Sequence, residues 1–286
     1  MSAPDSPEVT PIAITGSTGQ VGGMVASMLA EQNLPLRLIL RDPSRAPQLP
    51  GTTTARASYG DKAAVAAALE GVETLFMVSA AEAEDRLQQH FTFIDAAIDA
   101  GVEHLVYTSF IGAAEDATFT LARDHFATEE KLRGSGLKHT LLRNNFYADI
   151  LPLFADEAGV IRGPAGEGKA GFVAREDVAR AAAAILAEPM PHAGFTYELT
   201  GPESVTLAEA AAAIAEATGR PTSFLDETVE EAYASRAHYG APDWQVDAWV
   251  STYTAIAAGE LDRVTHDVDL LTGRPALSLR ELFARD

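Results

Sequence analysis

The stretch ITGSTGQVGGMV, Ile14 to Val25, holds four glycines in twelve positions. It lies between an apolar run, PIAITG at 11–16, and a stretch of helical periodicity, QVGGMVASMLAEQ at 20–32. Gly16, Gly19 and Gly22 form Gly-x-x-Gly-x-x-Gly where strand passes into helix. That passage needs a residue without a Cβ to turn. The free amides of a helix N-terminus carry partial positive charge and suit a phosphate, provided no side chain blocks its approach. The third glycine suits close packing of helix on strand. A glycine pattern alone is weak evidence. Here a second strand, PLRLIL at 35–40, completes the order a dinucleotide-binding unit requires. Ser17 belongs to this phosphate loop, and no nucleophile elbow with Ser-His-Asp partners accompanies it.

The rest of the first half repeats the alternation. Strands are expected at TTTARAS (52–58), ETLFMVSA (73–80), EHLVYTSF (103–110) and KHTLLRN (138–144). Helices are expected at DKAAVAAALEGV (61–72), EDRLQQHFTFIDAAIDAG (84–101) and around FATEEKLRGSG (126–136). This order predicts an α/β fold, a Rossmann-type doubly wound parallel sheet. Beyond Asn145 the pattern loosens. GVIRGPAGEGKAGF (159–172) reads as a glycine-rich loop with short strands, REDVARAAAAILAE (175–188) as a helix and FTYELTG (195–201) as a strand. TLAEAAAAIAEATG (206–219) reads as a helix opened by a capping box of Thr206 and Glu209. The expected division is a disordered tail at 1–10 and a Rossmann domain at 11–150 joined by about 172–190. A smaller, mixed but mainly helical substrate subdomain takes 151–171 and 191–286.

Composition removes other classes. Cysteine is absent from the 286 residues, which excludes disulfides and thiolate chemistry. The seven histidines show no metal-ligand spacing, so no metal is expected. A formal charge of −20, with only four lysines, repels nucleic acid. No apolar run reaches the about 18–20 residues of a membrane helix, and the N-terminus lacks a secretory pattern. A cytoplasmic location is the expectation.

The end of the second strand bears on the cofactor. A free ribose 2′-hydroxyl is usually met there by an acid, a 2′-phosphate by a cation. The chain reads LILRDPSR: Arg41 comes first, and Asp42 before Pro43 reads as a turn or cap. NADPH is therefore expected, with NADH weaker.

Together ITGSTGQVG, LRDPSRA, GDKAAVAAALEGV, QHFTFIDAAIDAGVEHLVYTS, SGLKHTLLRNNFY and GEGKAGFVAREDVA resemble the atypical short-chain dehydrogenase/reductases, in their NmrA-like branch. The likeness extends to YTAIAAGELDRVTHDVDLLTGRPALSLRELF and covers nearly the whole chain. The branch includes reductases of quinones and triphenylmethane dyes, and NADPH-binding regulators. The resemblance implies that Gly16, Ser17, Thr18, Gly19, Gln20 and Val21 wrap the pyrophosphate and Arg41 holds the 2′-phosphate. It implies Gly60 and Asp61 near adenine and Val78, Ser79 and Ala80 along the ribose. Thr108 and Ser109 would approach the nicotinamide, and Asn144, Asn145, Phe146 and Tyr147 would border nicotinamide and substrate.

One departure stands out. Many relatives carry Tyr-x-x-x-Lys on the helix after strand five, tyrosine giving the proton and lysine lowering its pKa. In LARDHFATEEKL, Leu121 falls at the tyrosine position and His125 at the lysine position. His125 either binds a ribose hydroxyl or substrate, or is a water-exposed histidine on the helix face. Reducing an ordinary ketone produces a basic alkoxide and needs an acid. Reducing a quinone gives a ring-stabilised phenolate, and reducing a triarylmethyl cation needs no proton. The chain therefore suits planar acceptors of the last two kinds.

His125 and Tyr147 are the candidate catalytic residues. Phe146 and Tyr147 either stack on a flat acceptor or fill the core, and strand alternation points Tyr107 away from the cofactor. The loop Gly163–Gly171 either closes over the nicotinamide or is a surface turn. Trp244 and Trp249, five apart, lie on different helix faces and have separate packing roles. The leading expectation is an NADPH-dependent oxidoreductase of small planar acceptors, quinones first. The alternative is an NADPH-binding redox sensor with little turnover. A homodimer is compatible with either.

Overall fold

The computed structural model describes residues 10–285. The expected disordered tail lies outside the described residues apart from Thr10. In chain order the elements are β1 (Ile12–Thr15), α1 (Gln20–Glu31), β2 (Leu36–Leu40), β3 (Thr52–Arg56), α2 (Lys62–Ala68), β4 (Thr74–Met77) and α3 (Arg86–Asp99). There follow β5 (His104–Phe110), α4 (Thr120–Arg133), β6 (Lys138–Asn144), β7 (Val160–Gly163), β8 (Lys169–Ala170), α5 (Arg175–Ala187) and β9 (Thr196–Leu199). The last are β10 (Val205–Thr206), α6 (Leu207–Thr218), β11 (Ser223–Asp226), α7 (Val229–Arg236), α8 (Asp243–Ala257), α9 (Asp267–Thr272) and α10 (Leu279–Phe283).

Seven parallel strands form the central sheet in the order β3-β2-β1-β4-β5-β6-β9. Alternation along each strand sends neighbours to opposite faces. Ile12 and Ile14 of β1 and Val106 of β5 join one core cluster with α1 and α5. Ala13, Leu105 and Tyr107 join another under α2, α3 and α4. A sheet buried on both faces needs near-continuous apolar strands, and β5 is buried at all seven positions. The sheet edge β3 is mostly exposed, which explains its weaker, threonine-rich pattern. Chain order reverses between β1 and β4, and the crevice beyond their carboxyl ends is where such sheets bind ligands.

A third cluster, around Phe110, Phe119, Ile161, Phe172, Leu207 and Tyr253, knits β5 and the start of α4 to the C-terminal elements. There β7 pairs with β11 and β8 with β10. The capping box of Thr206 and Glu209 opens α6. One segment differs from the sequence division. Residues 196–199, expected in the substrate subdomain, form β9 and extend the main sheet beside β6, because Leu199 and Tyr197 bury their side chains in the α1–α5 core. Gly163, Gly168 and Gly171 of the 163–171 loop serve close packing, whereas Gly166 turns the chain at φ +52°. A Cβ on Gly168 would lie 2.2 Å from the Ile256 carbonyl oxygen, and one on Gly171 2.3 Å from that of Arg263.

Candidate active site

The loop after β1 meets the end of β4. Gly16 adopts φ +65°, the left-handed region glycine favours, and a Cβ there would lie 3.0 Å from that of Val78. Gly22 packs so closely that a Cβ would stand 2.4 Å from the Gly16 carbonyl oxygen. Gly19 is roomier: its Cβ would meet only that same oxygen, at 3.3 Å. Gly19 caps α1 with no side-chain hydrogen bond, and the first turn carries no acid. The amides at Gln20 and Val21 begin a helix whose first N–H groups have no intrahelical partner.

A cavity of about 560 Å³ opens at this crevice. Gly16, Ser17, Thr18, Arg41, Gly60, Val78, Ser79 and Ala80 line it, as do Tyr59 and Arg45, which the sequence reading did not single out. Asp61 does not; its carboxylate caps α2, accepting from the Ala64 amide at 3.0 Å. Asp42 also lines the cavity, but its carboxylate is turned onto Ser44, accepting from the amide at 3.1 Å and the hydroxyl at 2.7 Å. Those two bonds hold its pKa below the usual carboxylate range. Among the described residues the exposed Arg41 guanidinium makes no hydrogen bond or ion pair, so it remains available as a cation at the rim.

Around β5 and β6 the hydroxyls and amides divide between structural duty and availability. Thr108 Oγ1 accepts from the Ser79 amide at 2.7 Å. Ser109 donates to Glu129 at 2.6 Å, a fully buried carboxylate also held by Arg143 and Arg133. Asn145 braces the fold: its Nδ2 donates to the Leu261 carbonyl at 3.1 Å, and its Oδ1 accepts from the Phe146 amide. Asn144 Nδ2 donates to Tyr147 Oη at 3.2 Å, yet its Oδ1 has no partner, and neither has Ser17 Oγ. Buried polar atoms left unpaired are costly. Two such atoms, at the carboxyl ends of β6 and β1, fit a bound dinucleotide that supplies donors and acceptors there. Burial raises the Tyr147 pKa, so its phenol stays protonated. Phe146, half-buried, joins Phe110 and Phe119 with ring centroids 4.9 and 5.3 Å away.

His125 is not exposed on the helix face; it is 7% accessible. Arg86 Nη2 lies 3.0 Å from its Nε2, and Tyr107 Oη 2.9 Å from its Nδ1. A guanidinium only donates, so Nε2 accepts and the single ring proton sits on Nδ1, directed at Tyr107. Burial first, then the Arg86 charge, depresses its pKa well below 6.5. His125 is thus held neutral, with both nitrogens engaged. Leu121 is half-buried against the third cluster.

A second cavity, of about 720 Å³, lies among β7, α7 and α8 and shares no lining residue with the first. Trp249, Tyr239 and Tyr253 form its aromatic wall. Its guanidinium groups are internally paired, Arg236 with Glu227 at 3.2 Å and Arg162 with Asp156 at 2.5 Å.

The parallel sheet, the crevice at its reversal point and the glycine loop define a Rossmann-type dinucleotide-binding protein. A family described as NAD(P)H-binding matches residues 16–189. Quinone oxidoreductase 2 of Escherichia coli (strain K12) is 35% identical over 94% of this chain and 96% of the relative. The crystal structure of an E. coli NADPH-dependent quinone oxidoreductase complexed with NADPH superposes with TM-score 0.87, at 35% identity, covering 96% of this chain and 99% of that one. An NAD(P)H azoreductase of Xenophilus azovorans is 33% identical over 96% of each chain. The triphenylmethane reductase of Citrobacter sp., complexed with NADP(H), gives TM-score 0.82 at 30% identity, covering 96% and 99%. The chain belongs to this NAD(P)H-binding family and is an NAD(P)H-dependent oxidoreductase.

Proposed function

We propose that the protein uses NADPH in preference to NADH to reduce a small planar acceptor, a quinone first, without the acid of a Tyr-x-x-x-Lys dyad. The observation that carries this is the state of position 125, where the ring is neutral and its one proton is aimed at Tyr107. Leu121 offers no proton at the other position of the dyad.

The bound cofactor supplies a hydride. The chain does the rest. The α1 amides, with Ser17 and Thr18, would receive the pyrophosphate, and Arg41 would pair with the 2′-phosphate, Asp42 being occupied as a cap. Asn144 Oδ1 takes a donor at the nicotinamide end. Tyr147 and Phe146 border the acceptor and exclude water. Bound NADPH would supply two electrons as a hydride to the quinone, and one proton taken up from solvent would complete the hydroquinone. The intermediate phenolate is stabilised by its own ring, so alignment and desolvation suffice. The support is the pairing of this geometry with full-length kinship to reductases of quinones, azo compounds and triphenylmethane dyes.

We place the protein in the cytoplasm; no helix among the described residues is long and apolar enough to cross a membrane. The test is NADPH consumption with a panel of benzoquinones and naphthoquinones. Steady turnover supports the reading. Tight NADPH binding with no turnover of any acceptor would favour the redox sensor.

A further inference from the structure

Val78, Ser79 and Ala80 form one wall of the cofactor cavity beyond the end of β4, yet side chains from across the fold hold their backbone. The Val78 amide donates to Thr15 Oγ1 at 2.9 Å, and the Val78 carbonyl accepts from Tyr59 Oη. The Ser79 amide donates to Thr108 Oγ1 at 2.7 Å. The Ala80 amide donates to His90 Nε2 at 2.9 Å, and the Ala80 carbonyl accepts from Arg86 Nε at 3.0 Å. His90 is fully buried and Arg86 is 4% accessible.

We propose that His90 and Arg86 are positioning residues for the dinucleotide, fixing the Val78–Ala80 wall, and that His90 serves only as its Nδ1–H tautomer. The proposal rests on reading this cavity as the dinucleotide site. The tautomer follows from the donors. Ala80 N–H demands a lone pair on Nε2, so the proton sits on Nδ1 and goes to Thr128 Oγ1 at 2.9 Å. Thr128 sends its own proton to the Asp124 carbonyl at 2.7 Å. A second proton on His90 would oppose the Ala80 donor, and burial, reinforced by Arg86, depresses its pKa to about 3. Arg86 closes the arrangement, donating to the Asp124 carboxylate at 3.1 Å and to His125 at 3.0 Å. The residue at the family's lysine position is thereby tied to the cofactor wall through Arg86.

The test compares His90→Leu, which leaves the Ala80 amide without an acceptor, with His90→Gln, which restores one. His90→Leu should raise the Kd for NADPH about tenfold while kcat at saturating NADPH changes little, and His90→Gln should recover most of the affinity. Should His90→Leu fail to fold by circular dichroism, Thr128→Val is the second variant. It removes the acceptor of the Nδ1 proton outside the cavity lining and should raise the NADPH Kd about threefold. Nitrogen-15 spectra of the native protein should show His90 as the Nδ1–H tautomer. Native NADPH affinity in the folded variants, or an Nε2–H signature, would overturn the proposal. If the native protein binds no NADPH, the cofactor reading itself fails and this proposal falls with it.

Discussion

Arg41 and Asp42 stand side by side at the end of β2 with opposite charges, and the local backbone decides between them. Pro43 begins a tight turn, and the Asp42 side chain closes it through Ser44. The acid is spent on that cap, while the Arg41 guanidinium has no partner among the described residues. Arg41→Ala should therefore weaken NADPH binding by about 1.5–3 kcal/mol, the scale of one charge-assisted contact. NADH binding should be nearly unchanged, and fluorescence titration of both nucleotides checks this. His125 poses a different question, since its ring is neutral inside the fold. Its folded pKa lies well below the 6.5 of an exposed histidine, so only the unfolded chain gains a proton as pH falls past that value. The stabilisation is present above about pH 6.5 and fades below it, by up to about 1.4 kcal/mol per pH unit. Protonation of surface carboxylates relieves repulsion and works the other way. The histidine contribution is isolated by comparing native protein with His125→Gln in denaturant melts between pH 6.5 and 5. The native slope should be the steeper; equal slopes would contradict the buried neutral ring.

The β1–loop–α1 unit separates two uses of glycine. Gly22 lets α1 approach its strand, and any side chain there meets the Gly16 and Thr15 backbone below 3 Å. Gly19 is less crowded, since a Cβ there meets only the Gly16 carbonyl oxygen at 3.3 Å and needs a shift of a few tenths of an ångström, so most of the need for glycine falls on the ligand. Gly19→Val should leave circular dichroism native and abolish NADPH binding, whereas Gly22→Val should compromise the fold. Unimpaired binding by Gly19→Val would show that the phosphate lies elsewhere. This unit was legible in sequence because its signals are local: strand period, glycine spacing and helix period within a short span. So were the capping box of α6 and the cap role of Asp42. The segment 196–199 was misassigned because a lone strand does not state its partner, and only the pairing with β6 places it in the sheet. The exposed reading of His125 failed for a similar reason. Its partners, Arg86 and Tyr107, lie on α3 and β5, and neither contact leaves a mark on the helix's own pattern. Tyr59 escaped notice too, since its bonds to Thr15 and Val78 join residues 44 and 19 positions away.

At the scale of the molecule, a formal charge of −20 gives the surface a field that draws cations toward it. For a cationic triarylmethane dye, kcat/KM should fall as salt rises from about 0.01 to 0.15 M, where the Debye length shrinks from about 30 to 8 Å. For a neutral quinone it should stay nearly constant. Parallel salt dependence for both would place the effect on the cofactor rather than the acceptor. The field is set by the whole sequence, whereas under the proposed function the choice of acceptor comes from the missing acid at Leu121 and His125. The most direct measurement of that claim is kcat/KM for a quinone and a simple aliphatic ketone of similar size, in native protein and in His125→Ala. The account predicts ready turnover of the quinone, little or none of the ketone, and only a modest loss in the variant through disturbed packing around Arg86. Efficient ketone reduction that disappears in His125→Ala would make His125 the proton donor and contradict it.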